Sequence, residues 1–196
     1  MKADFVDLIT EIHARGWTPG TGGNFSFVEQ EDPLLLCITP SGLEKGSIRA
    51  EDLLTVDDAG VVQGVGKASA ETLLHVEIAK AYSARVILHT HTVWNTIASM
   101  HGYKFVIEGF EMLKALEGNS THEHREVVPI LGNSQDMFEL SAKVRQMAVQ
   151  HPAAHGFLLK GHGLYTWGKD LHSAQRHLEA LEFLFEVALR LGPHSN

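Results

Sequence analysis

Apolar side chains recur at intervals of three and four residues in several segments of the chain, a spacing typical of amphipathic α-helices. In the first segment, Phe5 and Ile12 lie on one face, behind the candidate helix cap Asp4 and before Gly16. Similar patterns predict helices over residues 71–82, 93–100, 110–116, 137–147 and 171–191, with Ser134 as the candidate cap of the helix near residue 137. The last helix has so wide an apolar face that we expect it to pack on a sheet or against another subunit.

Short apolar runs between these helices predict strands. Three runs at 25–28, 34–38 and 53–56 predict a β-meander, and later runs lie at residues 85–88, 127–130, 156–160 and 164–167. Helices interleaved with many short strands favour a layered α/β fold, with a sheet between layers of helices. No repeat, low-complexity tract or linker divides the sequence, so we expect a single domain over residues 1–196.

The composition restricts the classes of partner. The formal charge of -8 and the lack of a Lys/Arg stripe argue against nucleic-acid binding. An anionic small substrate would need favourable local contacts within its binding site. The single cysteine, Cys37, excludes an internal disulfide and lies in an apolar run, which favours a buried strand thiol over a nucleophile. The sequence has no signal peptide and no apolar run near the ~18 residues that span a bilayer, so we expect a cytoplasmic protein without a membrane partner.

Two histidine motifs carry the clearest chemistry. A His-Thr-His motif at 89–91 follows an apolar run, and a Gly-His-Gly motif at 161–163 provides a third histidine. Alternate side chains of a strand point the same way, so His89 and His91 would share one face. Three neutral imidazoles that hold a divalent ion, usually zinc, leave a coordination position open for water or substrate. The sequence therefore predicts a metal-dependent enzyme with the ligands His89, His91 and His162.

Other histidines offer alternatives, because the chain has 13 of them and a His-x-His pair can arise by chance. His122 and His124 form a second pair, but they lie in a polar stretch without a preceding apolar strand, which favours a solvated loop. His75, His172 and His177 lie within helical patterns, where we expect structural roles.

Three turns are rich in glycine and small hydroxyl-bearing residues. Backbone N–H groups of such turns can converge on an anion, and the helix that follows Ser69 adds its own free N–H groups and dipole. Each turn alone carries little weight, because it could be a tight turn that binds nothing. Together they predict a phosphate site formed by Gly22, Gly23, Asn24, Ser41, Gly42 and Ser69.

A metal ion that acidifies a C–H group beside a carbonyl needs a base to accept the proton. The candidates for this catalytic role are Glu71 and Glu111. Each also has a plainer interpretation. Glu71 lies in the first turn of its helix, where acidic side chains are favoured. Glu111 fits an exposed charge on an amphipathic helix, which the spacing alone favours.

Taken in order, the motifs Gly-Gly-Asn at 22–24, Thr-Pro-Ser-Gly at 39–42 and Lys-Ala-Ser-Ala-Glu at 67–71, with the two histidine motifs, resemble the class II aldolase/adducin superfamily from end to end. The resemblance implies a three-layer α/β/α fold around a mixed, mostly antiparallel sheet and a homotetramer with sites near subunit interfaces. It also implies one zinc ion per subunit, bound by His89, His91 and His162. The sequence departs from the aldolase pattern at Ala70, where a second serine usually contacts phosphate.

Within the superfamily, the segments 110–114 and 162–168 resemble a dehydratase branch that acts on a methylthio-substituted pentulose phosphate in methionine salvage. In that branch the proton-transferring glutamate matches Glu111, whereas aldolases place their acid/base where Glu71 stands. Because Glu71 is present, a sugar-phosphate aldolase or 4-epimerase stays open as an alternative. A catalytically silent interaction module of the adducin type is a further alternative, against which the intact histidines and glutamates argue.

Overall fold

An eight-stranded sheet forms the centre of the computed structural model, which describes residues 1–192. Its strands are β1 (Asn24–Glu31), β2 (Leu34–Ile38), β3 (Leu54–Asp57), β4 (Val86–Thr90), β5 (Lys104–Glu108), β6 (Arg125–Leu131), β7 (Gly156–Leu159) and β8 (Gly163–Gly168). The helices are α1 (Lys2–Ala14), α2 (Thr72–Tyr82), α3 (Val93–Ala98), α4 (Met137–Gln150) and α5 (Leu171–Leu191).

The strands lie in the order β3-β2-β1-β4-β8-β7-β6-β5. Only β6 and β7 pair in parallel, and every other neighbouring pair is antiparallel. The prediction of a mixed, mostly antiparallel sheet is therefore confirmed, as is the meander formed by β1 to β3. The single-domain assignment over residues 1–196 stays a prediction.

Helices cover both faces of the sheet, which confirms the three-layer α/β/α prediction. On one face, side chains of α1, α3 and α5 form a core that includes Phe5, Ala98 and Phe185. On the other face, α2 and α4 contribute Leu74 and Val144 to a second core. The wide apolar face of α5 packs on the sheet, mainly on β8, as its pattern predicted, and α5 also contacts α3. No helix within residues 1–192 is long and apolar enough to cross a membrane.

Two predicted helix caps are wrong by a few residues. Met1 occupies the N-cap position of α1, and Asp4 lies in the first turn, where its carboxylate is 2.8 Å from the N-terminal ammonium. The cap of α4 is Asp136, whose carboxylate accepts hydrogen bonds from two backbone N–H groups of the first turn. Ser134 instead donates a hydrogen bond to Glu139, because the helix begins later than a Ser134 cap requires.

Two further differences concern the segment after α3. Strand β5 was not predicted, although its buried Phe105 and Ile107 alternate with more exposed residues as an edge strand requires. The predicted helix over 110–116 is a short 3-10 helix over Glu111–Ala115. The prediction for Cys37 is confirmed: it is fully buried in β2, and burial raises the pKa of its thiol to about 11.

Candidate metal centre and active site

Two adjacent antiparallel strands bring the three predicted metal ligands together at one end of the sheet. His89 lies in β4, His91 follows the last residue of that strand, and His162 precedes the first residue of the neighbouring strand β8. One nitrogen of each ring lies within 4.8 Å of the others. The Nε2 atom of His89 is 2.8 Å from Nε2 of His91 and 3.3 Å from Nε2 of His162. Three imidazoles therefore converge on one point.

Glycines permit this close approach of backbone to histidine. A Cβ atom on Gly163 would lie 2.3 Å from the carbonyl oxygen of Thr90 and 2.9 Å from Cδ2 of His91. A Cβ atom on Gly22 would lie 2.7 Å from Nδ1 of His91. Any side chain at these two positions would displace a predicted ligand or the strand beside it.

His89 and His91 are held in the neutral form that binds metal. His89 is fully buried, and its Nδ1–H donates a hydrogen bond of 2.9 Å to the carbonyl oxygen of Leu164, which leaves the lone pair of Nε2 for a ligand bond. Burial, together with His91 and His162, lowers the pKa of His89 well below its ordinary range. Burial, His162 and Lys45 lower the pKa of His91 to about 4. A donor set of three imidazole nitrogens suits a divalent transition-metal ion.

Glu71 faces this cluster from the N-cap position of α2, where its side chain makes no capping hydrogen bond. Its Oε1 atom is 3.2 Å from Nε2 of His162, and its Oε2 atom is 3.6 Å from Nε2 of His89. The Nδ2 group of Asn24 donates a hydrogen bond of 2.5 Å to Oε2. The structure thus brings the predicted base Glu71 to the predicted metal ligands.

A buried chain of hydrogen bonds orients Asn24. Its Oδ1 atom accepts a hydrogen bond from Nε2–H of His75, and Nδ1 of His75 accepts one of 2.7 Å from the hydroxyl of Ser26. The amide NH₂ of Asn24 consequently points toward Glu71 and Ser69. Burial lowers the pKa of His75 to about 3, so its ring stays neutral. The structural role expected of His75 is confirmed.

Tyr165 is a site residue that sequence reasoning missed. Its ring stacks on that of His89, with centroids 3.9 Å apart and planes 12° apart, so it fixes the plane of the buried imidazole. Burial, and then the carboxylate of Glu71, raise the pKa of the Tyr165 hydroxyl well above its ordinary range. The residue lay in the predicted strand over 164–167, where nothing distinguishes it from an ordinary core aromatic.

A cavity of about 340 Å³ opens beside the histidines. All of the predicted phosphate-binding residues line it, together with Glu71, His91 and His162; they are Gly22, Gly23, Asn24, Ser41, Gly42 and Ser69. A larger cavity of about 580 Å³ lies between β5 and the end of α5, but it contains none of these residues. The chemistry therefore belongs to the smaller cavity.

Lys45 also lines the smaller cavity, although no sequence pattern predicted this. The side chain is 1% exposed, and its ammonium donates hydrogen bonds to the carbonyl oxygens of Thr21 (3.1 Å) and Leu43 (2.9 Å). Burial lowers the pKa of Lys45. No carboxylate of the described residues lies within ion-pair distance of the ammonium, so its charge is available to an anion in the cavity.

The second candidate base, Glu111, lies outside the cavity beside the histidines. Strand β4 ends at the three-histidine cluster. The strand pairings through β8, β7 and β6 place the start of β5 at this end of the sheet and its last residue, Glu108, at the opposite end. Glu111 follows Glu108, is 72% exposed and pairs with Lys114. It does not line the cavity beside the histidines.

The rival histidine pair lies in the loop that was expected. His122 is exposed, with its Nδ1 4.0 Å from a carboxylate oxygen of Glu111, and Nε2 of His124 contacts Glu126. His177 has a structural role, since its Nδ1–H donates to the carbonyl oxygen of Trp167. His172 is exposed near the start of α5. None of these joins the three-histidine cluster found among residues 1–192.

The fold and the converging histidines define a class of protein. Residues 3–189 match the family model of the class II aldolase and adducin N-terminal domain, and the chain belongs to this family. Among solved structures, L-fuculose-1-phosphate aldolase from Thermus thermophilus superposes with a TM-score of 0.78 at 26% identity, over 97% of both chains. A second L-fuculose 1-phosphate aldolase has the same fold, with a TM-score of 0.80 at 22% identity over 100% of this chain and 87% of that one.

The curated relatives are similar over almost their whole length. Methylthioribulose-1-phosphate dehydratase from Methylococcus capsulatus is 41% identical over 191 residues, which are 96% of this chain and 93% of the relative. The protein of the same name from an Enterobacter species is 44% identical over 190 residues, 95% of this chain and 92% of the relative. The resemblance to the superfamily and to its dehydratase branch is thus confirmed.

Proposed function

We propose that this chain is a hydro-lyase that removes water from 5-methylthioribulose 1-phosphate and forms 2,3-diketo-5-methylthiopentyl 1-phosphate, a step of methionine salvage. The observation that carries the proposal is the cavity that connects the three-histidine cluster, through His91 and His162, to the predicted anion-binding turns. The 41% identity to a relative named for this reaction directs the choice of substrate. The enzyme acts as a cytoplasmic homotetramer.

His89, His91 and His162 would hold one zinc ion per subunit, the ion that open sites of three histidines usually bind. When bound, zinc supplies positive charge beside the C2 carbonyl and the C3 hydroxyl, which makes the C3 proton more acidic. Asn24 keeps Glu71 directed at the same point, so a carboxylate lies beside the reacting carbons.

The phosphate of the substrate occupies the glycine-lined part of the cavity. Two hydrogens of the Lys45 ammonium bind backbone carbonyls, so the third remains for a phosphate oxygen. Ser41 and Ser69 contribute hydroxyl groups, and the turn at Gly22 and Gly23 contributes backbone N–H groups. One buried cation offsets the unfavourable net charge of -8 where the anion binds.

Glu111 acts as the acid/base from a neighbouring subunit. Within one chain it does not line the cavity beside the histidines, so the proposed role requires a second copy to bring it there. Its carboxylate removes the proton from C3, and the same proton leaves with the C4 hydroxyl as water. The C3–C4 double bond forms as the C4–O bond breaks, and the resulting enol ketonises to the 2,3-diketone.

Product analysis tests the proposal. The metal-loaded protein is incubated with 5-methylthioribulose 1-phosphate, and the products are followed by ultraviolet absorbance and mass spectrometry. We expect loss of one water without cleavage of the carbon chain. A second candidate function, sugar-phosphate aldolase or 4-epimerase, is favoured by the position of Glu71 at the histidines. Cleavage or epimerisation of pentulose or deoxyhexulose phosphates without dehydration would support it instead.

Co-expression of two inactive variants tests the shared site. Chains with His89→Ala lack a metal ligand, and chains with Glu111→Gln lack the proposed base. If the two groups act from different subunits, about one quarter of the sites in randomly mixed assemblies combine an intact His89 with an intact Glu111, and activity returns. If they act within one chain, the mixture stays inactive. Retained activity of Glu111→Gln alone would move the assignment of the base to Glu71.

A further inference from the structure

Glu182 is a buried acid that the proposed reaction does not use. It lies on α5, is 4% exposed, and forms no ion pair with a basic side chain among residues 1–192. Its Oε2 atom accepts a hydrogen bond of 2.7 Å from the hydroxyl of Thr92, and its Oε1 atom accepts one of 2.8 Å from Nδ2 of Asn95. Burial raises the pKa of this carboxyl to about 7, so the unpaired carboxylate is held at a cost to stability.

The two donors connect Glu182 to the turn that carries a metal ligand. The Nδ2 group of Asn95 is also 3.2 Å from both the carbonyl oxygen and the hydroxyl of Thr90. The backbone N–H of Thr92 donates to Oδ1 of Asn95, and the Thr92 hydroxyl accepts from the backbone N–H of Asn95. Thr90 and Thr92 flank His91, so one carboxylate holds the chain on both sides of this histidine.

His91 depends on such support more than His89 does. His89 lies within β4, and a carbonyl oxygen fixes the direction of its ring. His91 lies beyond the end of the strand, where its backbone N–H donates to the carbonyl oxygen of Trp17. Within the described chain, no hydrogen bond from Nδ1 orients the His91 ring. The position of its Nε2 therefore follows the position of the backbone turn.

We propose that Glu182 is a positioning residue for the metal centre: through Thr92, Asn95 and Thr90 it fixes the turn that places His91. The inference rests on the proposed function, because it requires that the three histidines bind a metal ion. Groups that orient metal ligands without contacting the metal contribute strongly to metal affinity, and their loss typically weakens metal binding by about 10–100-fold.

Zinc binding to the metal-free protein tests this inference without turnover. We expect Glu182→Ala to weaken zinc binding by about 10–100-fold in chelator competition, and to change the d–d spectrum of the cobalt-loaded protein. Glu182→Gln keeps an oxygen for Asn95 and should recover most of the affinity. Thr92→Val removes the hydroxyl that donates to Glu182 and should also weaken zinc binding. This second variant keeps the test decisive if Glu182→Ala does not fold.

Glu126 offers the matched control. It is 3% exposed and bonded to His124 and His155, and it contacts none of the three metal ligands. Glu126→Ala should lower the urea midpoint without changing zinc affinity. If Glu182→Ala binds zinc as tightly as the wild type, or loses no more zinc affinity than Glu126→Ala does, the inference about Glu182 is overturned while the proposed function stands. Failure of the wild-type protein to bind any metal would overturn the proposed function as well.

Discussion

Substitution of Gly163 by alanine tests whether the two strands at the metal centre are as close as described. The new Cβ would lie 2.3 Å from the carbonyl oxygen of Thr90 and 3.1 Å from Cε1 of His89. Favourable contacts begin near 3.5 Å, so β4 and β8 must part by roughly 1 Å at this point. Overpacking of this kind costs about 1–3 kcal/mol in stability. Metal ligands tolerate displacements of only about 0.2 Å, so we also expect zinc affinity to fall at least about tenfold.

Gly132 provides the matched control for this prediction. A Cβ atom there meets nothing within 4 Å, and its φ is not in the left-handed region. Gly132→Ala should therefore change stability by less than about 0.5 kcal/mol and leave zinc affinity unchanged. Urea unfolding of the metal-free proteins, followed by tryptophan fluorescence, measures the first quantity, and chelator competition measures the second. Wild-type stability and affinity in Gly163→Ala would refute the strand spacing on which the site is built.

Three other predictions follow from buried groups. Lys45→Met keeps the packing volume but removes the cation, so KM for a phosphorylated substrate should rise about tenfold or more while zinc still binds; an unchanged KM would exclude Lys45 from phosphate binding. Because the pKa of His75 is about 3 when folded and ordinarily 6.5, its contribution to stability is complete above pH 6.5. This contribution falls by about 1.4 kcal/mol per pH unit below that value. Between pH 6.5 and 5, the free energy of unfolding measured in urea should therefore fall less steeply in His75→Gln than in the wild type. The same pH dependence in both proteins would contradict this. Cys37, with its pKa raised to about 11, should resist iodoacetamide at pH 8 when folded and react in urea; rapid labelling of the folded protein would contradict its burial.

The sequence predicted most regular elements because their patterns are local. The apolar stripe of α5 and the meander of β1 to β3 each follow from the spacing of residues that contact one core. Strand β5 escaped prediction because its apolar residues form a run of only three, at 105–107, which is too short to distinguish from a loop. Ser134 and Asp136 are both good capping residues two positions apart, and only the start of α4 decides between them.

The convergence of the three histidines was predictable because two short motifs carry their chemistry and spacing. Burial of Lys45 and stacking of Tyr165 on His89 depend on which segments meet in three dimensions, and no local pattern records this. Glu111 shows the same limit: the resemblance of the segment 110–114 implies a catalytic role, whereas within one chain Glu111 does not line the cavity beside the histidines. The role proposed for Glu111 therefore requires a second subunit, and the sequence of one chain does not determine how subunits assemble.

The most direct measurement is the rate of water loss from 5-methylthioribulose 1-phosphate as a function of zinc bound per chain. We predict a rate that is absent in chelator-treated protein, rises in proportion to bound zinc and saturates at one ion per chain. The His91→Ala variant should remain inactive across the same titration. Dehydration by the metal-free protein, or an unchanged substrate beside a fully loaded site, would contradict a metal-dependent dehydratase.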